Sequence, residues 1–204
     1  MKSIARTGAL RKFVLVTGAA AALLLGTGTT AAAGDRGQNN FAIAENHRDY
    51  STLIRTSMRI VYVSGDVTAI NAADAEASCV HCQTAAVAIE AIIVIGYPST
   101  FAPQNYAIAL NTNCSFCDTG AYAGQFDLQY ARPVQLTERG QEKVEALRDQ
   151  LNELRHSALS SMAIVTQASA IRRQLEAVLK QNLVPVDGED DQPLQRDRSA
   201  SRSA

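Results

Sequence analysis

The chain has 204 residues, of which 19 are basic and 20 acidic, with a formal net charge of −1, four cysteines and no tryptophan. This balance excludes a polybasic protein that coats nucleic acid, because no basic face with interleaved aromatic residues is present. The length is enough for one domain with an appendage, and the many Ala, Val and Ile residues favour thinly packed layers over a roomy pocket.

Residues 1–33 have the layout of a secretory signal peptide. Lysines and arginines within residues 2–12 precede an apolar run over residues 13–25, and residues 31–33 are three alanines suited to cleavage. The apolar run is shorter than the roughly 20 residues of a membrane span, which makes an uncleaved N-terminal anchor the weaker alternative. We therefore expect a secreted or cell-envelope protein, cleaved near Ala33, with no membrane span in the mature chain.

Residues 34–133 contain three copies of one sequence unit. The copies open with Asn40, Asn71 and Asn105, in the segments NFAIAEN, NAADAEA and NYAIALN. Each segment is followed by a stretch rich in turn-forming residues and then by a longer apolar run. The first residues of these runs are Thr52, Thr84 and Thr119. Two landmarks that recur in the same order indicate an internal duplication, and the alternative is chance similarity in an alanine-rich chain.

Each copy is predicted to form a β-hairpin. Apolar and small residues alternate in the first arm, and β-branched residues are frequent in the second, as in residues 60–63 and 92–95. Helix is the competing prediction, because alanine has the highest helix propensity. We prefer strands, since turn residues such as those at 64–66 bracket the runs closely. The predicted fold class is α+β, with a six-stranded antiparallel sheet made of three repeated hairpins.

The four cysteines form two C-x-x-C motifs at the predicted hairpin tips of the second and third copies. They are Cys79, Cys82, Cys114 and Cys117. Export would place them in an oxidising environment, where cysteines normally form disulfides. A two-residue hairpin loop brings its flanking residues within disulfide range, so we expect a Cys79–Cys82 pair and a Cys114–Cys117 pair. Bridges between copies remain an alternative pairing.

A zinc site made of all four cysteines is a further alternative for these motifs. We disfavour it because each motif lies in its own copy, with a long gap between them, and because export favours oxidation over thiolate ligation. The sequence therefore predicts no bound metal and no other cofactor.

His81 lies between the cysteines of the first motif and is the candidate redox modulator. A histidine in this position can stabilise the nucleophilic thiolate of a thiol–disulfide enzyme. No βαβ unit surrounds the motif, and Phe116 takes the equivalent place in the second. We therefore expect an exposed tip residue, with redox catalysis as an alternative. No catalytic residue is predicted, since the patterns H-E-x-x-H and G-x-S-x-G are absent from the sequence.

Polar side chains recur at equivalent places in the three copies. Asparagines lie at the edges of the first arms, and the pattern N-x-A followed by Gln or Glu resembles curli-type amyloid repeats. That resemblance implies stacked strands with asparagine ladders. We prefer turn-adjacent asparagine in a closed globular sheet, with the stacked ladder as the alternative. Glu90 and Gln125 occupy similar places in the second arms, so we expect them to be ladder groups and not a catalytic pair.

Residues 134–183 change to a helical period. Thr137 is a suitable N-cap, and a second helix is expected to start at Ser160 or Ser161 and to end before Pro185. We predict a helical hairpin that packs on the sheet, with a coiled-coil dimerisation arm as the alternative. Its predicted buried residues are Val144, Leu147, Leu151, Leu154, Ala158, Ile164, Ala168, Ile171, Leu175 and Val178. Residues 184–204 are polar and predicted to be a disordered tail.

Three segments carry a resemblance to a known family: NNFAIAEN, CVHCQTAAVAIEAIIVIG and PQNYAIALNTNCSFCDTGAYAGQF. They resemble a secreted actinobacterial C-x-x-C repeat module of unknown function, which also occurs as the extracytoplasmic part of proteins labelled peptide zinc metalloproteases. The resemblance covers residues 38–182, with Glu90 where that module has Gln. Protease chemistry would belong to a membrane part of those longer proteins. The resemblance therefore implies an exported accessory or binding module and not a catalyst.

Together these features predict a non-enzymatic structural or interaction module of the cell envelope or extracellular space, stabilised by two disulfides. The expected partner is a second copy of the chain or an envelope protein, and not nucleic acid. The long apolar arms must be covered, either by the helices or by edge-to-edge association of copies.

Overall fold

The computed structural model describes residues 37–186 and 194–196, so the predicted signal peptide lies outside the described residues. Six long strands form three successive pairs, one pair in each sequence copy. The pairs are Asn40–Asn46 (β1) with Thr52–Val63 (β2), Ile70–Ala77 (β3) with Gln83–Ile95 (β4), and Gln104–Asn111 (β5) with Asp118–Tyr130 (β6). Strands β1, β3 and β5 form one sheet, the short-strand sheet, and β2, β4 and β6 form another, the long-strand sheet.

The predicted six-stranded antiparallel sheet is wrong. All pairing among β1 to β6 is parallel, and the two strands of one copy lie in different sheets. Each copy is therefore a strand, an arch and a strand, and the copies stack as three turns of a coil. Alternation of apolar residues does not distinguish a hairpin from an arch. The near-continuous apolar sequence of β4, which is buried on both faces, is the pattern typical of parallel strands.

The register of the stacked turns follows the sequence duplication. Asn40 pairs with Asn71, and Asn71 pairs with Asn105, as the repeat landmarks require. The threonine landmark is offset by one residue in the first copy, since Leu53 and not Thr52 pairs with Thr84. Parallel, in-register stacking places like side chains above one another and so repeats each contact from turn to turn.

Small side chains fill the space between the two sheets near the arches. Eight buried alanines make this layer: Ala42, Ala44, Ala73 and Ala75 from the short-strand sheet and Ala86, Ala88, Ala121 and Ala123 from the long-strand sheet. Farther along the long strands, larger residues such as Val61, Ile92 and Val94 continue the layer. The alanine-rich composition is therefore used for sheet-to-sheet packing and not for helix formation.

The helical hairpin covers the outer face of the long-strand sheet. It consists of Glu138–Glu153 (α1), a short 3-10 segment at Leu154–His156, and Ser161–Asn182 (α2), with Thr137 and Ser160 as N-caps. The predicted buried residues of both helices join the main core, except Ala158, which is exposed, and Val178, which is half-buried. The helices thus pack on the sheet, as predicted.

Short strands close the C-terminal region. Val134–Leu136 (β7) pairs antiparallel with Leu183–Pro185 (β8) at the base of the helical hairpin. Within the predicted tail, Leu194–Arg196 (β9) pairs antiparallel with Asp127–Gln129 of β6. Most of the remaining tail residues lie outside the described ones. No helix in the described ranges is both long and apolar enough to cross a membrane.

Asp118 joins α2 to the stack at the end of the second C-x-x-C motif. Its carboxylate accepts a hydrogen bond from the backbone N–H of Ser161 at 2.8 Å and another from the Ser161 hydroxyl. A carboxylate suits a helix N-terminus, where backbone N–H groups lack partners within the helix. Gly120 allows this approach, because a Cβ at that residue would lie 3.0 Å from the Cβ of Ser161.

Candidate functional site

The arches between paired strands hold the two C-x-x-C motifs. Tyr50, His81 and Phe116 occupy equivalent places in the three arches, and all three have a left-handed backbone with φ of 53°, 51° and 57°. Backbone hydrogen bonds link each arch to the next: the N–H of Tyr50 donates to Val80 and that of His81 donates to Ser115, both at 2.9 Å. The motifs are therefore parts of arches and not hairpin tips.

The side chains of Tyr50, His81 and Phe116 form a stacked aromatic column. The ring centroids of Tyr50 and His81 lie 5.3 Å apart, and those of His81 and Phe116 lie 4.5 Å apart, with nearly parallel planes. His81 is exposed to solvent, as the sequence predicts, but both faces of its ring are covered by neighbours. The sequence gives Phe116 the place equivalent to His81 in the second motif, but it does not reveal Tyr50, whose arch has no cysteine to mark the alignment.

The cysteines form the two predicted disulfide pairs, Cys79–Cys82 and Cys114–Cys117. The Cα atoms are 6.0 Å apart in the first pair and 6.1 Å in the second, within the usual disulfide range. The first pair is buried, whereas the second, on the last turn of the stack, is half-buried. The predicted pairing is present, although it spans an arch and not a hairpin loop.

Stacking brings the two disulfides together into one group, the cysteine quartet (Cys79, Cys82, Cys114 and Cys117). All four Sγ atoms lie within 4.8 Å of one another, and those of Cys82 and Cys117 are 3.4 Å apart. The separate copies of the two motifs are therefore no argument against a four-cysteine zinc site, because equivalent places of adjacent turns are neighbours. The quartet contains the same residues as the four-cysteine zinc alternative considered from the sequence.

Asparagines form a buried ladder beside the alanine layer. The Nδ2 of Asn40 donates to the Oδ1 of Asn71, whose Nδ2 in turn donates to the Oδ1 of Asn105, each at 2.8 Å. The same Nδ2 atoms also donate to main-chain carbonyls of the long-strand sheet, at Ile89 from Asn40 and at Ala88 from Asn71. The asparagines therefore form a stacked ladder and are not simply turn-adjacent, and Asn40 and Asn71 each also tie the two sheets together.

A second polar row runs through the long-strand sheet and pairs Arg59 with Glu90 and Glu90 with Gln125. The Nε2 of Gln125 donates to Glu90 Oε2 at 2.8 Å, while Glu90 Oε1 has no hydrogen-bond partner among the described residues. Burial raises the pKa of Glu90 from 4.5 to about 7, although the Gln125 hydrogen bond and the charge of Arg59 oppose the change. Glu90 and Gln125 are ladder groups, as expected.

The outer face of the short-strand sheet exposes apolar side chains on its two edge strands. Phe41 and Ile43 on β1 and Tyr106, Ile108 and Leu110 on β5 are each about half exposed. The central strand β3 presents Ala72, Asp74 and Glu76 at the matching places. The apolar residues therefore lie where a further strand could be added on either side, and not at the centre of the face.

Comparisons with protein-family models, with curated proteins and with solved structures find no match for this chain.

Proposed function

We propose that this protein is a non-enzymatic structural module of the extracellular space or cell envelope, which associates with further copies of itself end to end. The observation that carries the proposal is the likeness of the two edge strands of the short-strand sheet. Strand β1 reads NFAIAEN, and the matching residues of β5 read NYAIALN, whereas the central strand reads NAADAEA over the same places. The two edges resemble each other more than either resembles the strand between them.

The likeness specifies how two copies would fit. If β1 of one copy lay on β5 of another in the register that joins β1 to β3, Tyr106 would lie beside Phe41 and Ile108 beside Ile43. Aromatic and β-branched cross-strand pairs of this kind stabilise sheets by about 0.2–1 kcal/mol each. The Asn105 side chain would lie beside Asn40 of the next copy and so continue the asparagine ladder.

The third turn has an incompletely covered interior at β5, which favours the addition of a further strand there. Ala107 and Ala109 of β5 are only half-buried, whereas the equivalent Ala73 and Ala75 of β3 are fully buried. Among the described residues, β5 pairs with β3 alone. Soluble proteins usually block such an edge with charges, proline or a bulge, because it can pair with another chain.

The cellular setting rests on the sequence. The expected signal peptide and the resemblance to a secreted repeat module both favour export, and two disulfides suit an oxidising compartment. An envelope protein that offers a single strand to β5 is the other occupant that the edge would accept, and the experiment below separates the two.

The test uses the oxidised mature chain, residues 34–204, and two charge variants on the edge strands, Phe41→Lys on β1 and Tyr106→Glu on β5. Both places are paired with Ala72 within the chain, so neither charge meets a charged neighbour there. We expect wild type to form concentration-dependent oligomers or fibres in sedimentation velocity and electron microscopy. Each variant alone is expected to stay monomeric. The introduced charge would lie beside an apolar side chain of the next copy, which is Tyr106 for the β1 variant and Phe41 for the β5 variant.

An equimolar mixture of the two variants should associate again into oligomers in which the two variants alternate. The introduced lysine then meets the introduced glutamate at one interface, and the unaltered Phe41 and Tyr106 edges meet at the next. Salt should weaken the interface that contains the two introduced charges. Met162→Lys, on the exposed face of α2, is the matched control and should associate like wild type. Wild type that stays monomeric at all concentrations would overturn self-association and would favour an envelope protein as the occupant of the β5 edge. Equal loss of association in the control would overturn the assigned interface.

A further inference from the structure

We propose that the cysteine quartet, when its cysteines are reduced, binds one thiophilic divalent cation, with Zn²⁺ as the favoured ion. The four Sγ atoms come from two adjacent turns and converge within 4.8 Å. Two C-x-x-C motifs that meet at one point are the usual donor set of a structural zinc site. This site is independent of the end-to-end association proposed above.

The distances suit a tetrahedral centre. Zn–S bonds of about 2.3 Å in a tetrahedron place the sulfur atoms about 3.8 Å apart. Cys82 and Cys117 already have their Sγ atoms 3.4 Å apart on neighbouring turns. Within each motif, Cα atoms 6.0 or 6.1 Å apart leave room for the two sulfurs to separate by side-chain rotation once the disulfide is open.

The backbone around the quartet is held by bonds that do not involve sulfur. The N–H of Ser115 donates to the carbonyl of Cys79 at 3.2 Å, and the N–H of Asp118 donates to that of Cys82 at 3.0 Å. Together with the bond from His81 to Ser115, they keep the two arches in register whether or not the cysteines are oxidised. The donor atoms are therefore pre-positioned, which lowers the entropic cost of binding.

Burial divides the site into a shielded half and an accessible half. Cys79 and Cys82 are each 3% exposed, while Cys114 and Cys117 on the last turn are half-buried. Low exposure protects the metal–thiolate bonds from water, and the accessible pair provides a route for the ion. The positive ion also removes the repulsion that four neighbouring thiolates would have.

The cysteine quartet converts between a form with two disulfides and a reduced form that binds the ion. Each disulfide accepts two electrons and two protons from a dithiol reductant, which becomes a disulfide, and the quartet then holds four thiols. Zn²⁺ binds as the thiols lose up to four protons to solvent, so affinity rises with pH. The reverse reaction needs two equivalents of a disulfide oxidant, which together take up four electrons from the quartet and four protons from solvent to become thiols, and it releases the ion.

The test is a Co²⁺ titration of the mature chain after reduction with a phosphine and removal of the excess under argon. We expect the visible absorption bands of tetrahedral cobalt and the thiolate charge-transfer band to saturate at one ion per chain. Zn²⁺ should displace the cobalt with an apparent Kd below about 10 nM. The oxidised chain should give neither band, because its disulfide sulfurs are not thiolates, and the thiolate is the form of cysteine that binds metal.

Cys82→Ser and Cys117→Ser should each weaken Co²⁺ binding by at least about 100-fold, since each removes one of the four ligands. Ser115→Ala, between the cysteines of the second motif, should bind like wild type. Circular dichroism of each reduced protein without metal is the check that the chain is still folded. A folded, reduced wild type that binds no cobalt, or that binds with equal affinity after loss of one cysteine, would overturn the proposal.

Discussion

Asn40 donates a hydrogen bond over 2.8 Å to Asn71, a residue 31 places later in the chain. Asn71 repeats the same bond to Asn105, 34 places farther on. One side-chain type therefore fixes the register of all three turns and also bonds the carbonyls of the opposite sheet. Because the bond between Asn40 and Asn71 is fully buried, it is costly to break.

The central rung should contribute most to stability. Asn71→Ala removes three hydrogen bonds of a fully buried side chain: those donated to Asn105 and to the carbonyl of Ala88, and the one accepted from Asn40. We expect the free energy of unfolding to fall by about 3 kcal/mol or more, measured by urea denaturation. Asn105→Ala, at the half-buried end of the ladder, should cost less. Equal costs for the two variants would contradict a ladder that is strongest at its centre.

The aromatic column should show coupling only between adjacent rings. Replacement of His81 and Phe116 by Asn removes the rings and keeps a residue that tolerates the left-handed backbone. A double-mutant cycle between His81 and Phe116 should give a coupling free energy of about 0.5–1 kcal/mol. The cycle between Tyr50 and Phe116, whose rings are separated by His81, is the control and should give a value near zero. Similar coupling in both cycles would indicate a general effect on the arches.

Glu90 should make the stability of the protein depend on pH. Its pKa is about 7 in the folded protein and higher than the ordinary value of 4.5, so the folded state binds the proton more tightly than the unfolded state. The associated stability is fully present below pH 4.5 and is lost as pH rises through about 7. The loss is at most about 3 kcal/mol.

Glu90→Gln should remove this loss, because the introduced glutamine cannot ionise and can still accept the hydrogen bond from Gln125. Denaturation curves at intervals between pH 4 and 8 measure the effect. Glu142→Gln, an exposed change on α1, should leave the pH dependence of wild type intact. A pH profile that is unchanged in Glu90→Gln would show that other groups cause it.

Each disulfide should contribute only a modest part of the stability. Both close loops with a sequence separation of 3, for which chain entropy gives about 2 kcal/mol. The pairs Cys79→Ala with Cys82→Ala, and Cys114→Ala with Cys117→Ala, should therefore each remain folded with that reduction in unfolding free energy. Loss of the circular dichroism spectrum of strands in either variant would contradict the conclusion that backbone hydrogen bonds hold the arches together.

The sequence predicts the repeat positions, the starts of the helices and the cysteine pairs well, because local signals determine them. The repeat positions of Asn40, Asn71 and Asn105 agree with the register, and the caps Thr137 and Ser160 begin the helices. The two disulfide pairs follow from proximity in sequence. In each case the relevant residues are either close in the chain or identical in successive copies.

The sequence does not show which strands pair with one another or in which sheet each strand lies. Strands such as β1 and β2 could pair with each other or lie in separate sheets, and their alternation is the same in both cases. The decisive property is non-local: β4 must bury both faces, one against alanines and one against α2. Without parallel stacking, neither the cysteine quartet nor the place of Tyr50 in the aromatic column can be inferred.

Parallel stacking also gives the molecule polarity. A sheet of antiparallel hairpins can present similar edges on both sides, but this coil begins with β1 and β2 and finishes with β5 and β6, and all six strands are oriented by the same winding. The first turn places Arg59 in the buried polar row, and the last turn places Gln125 there. A filament built from such units would have unlike plus and minus ends, and its two ends would grow at different rates.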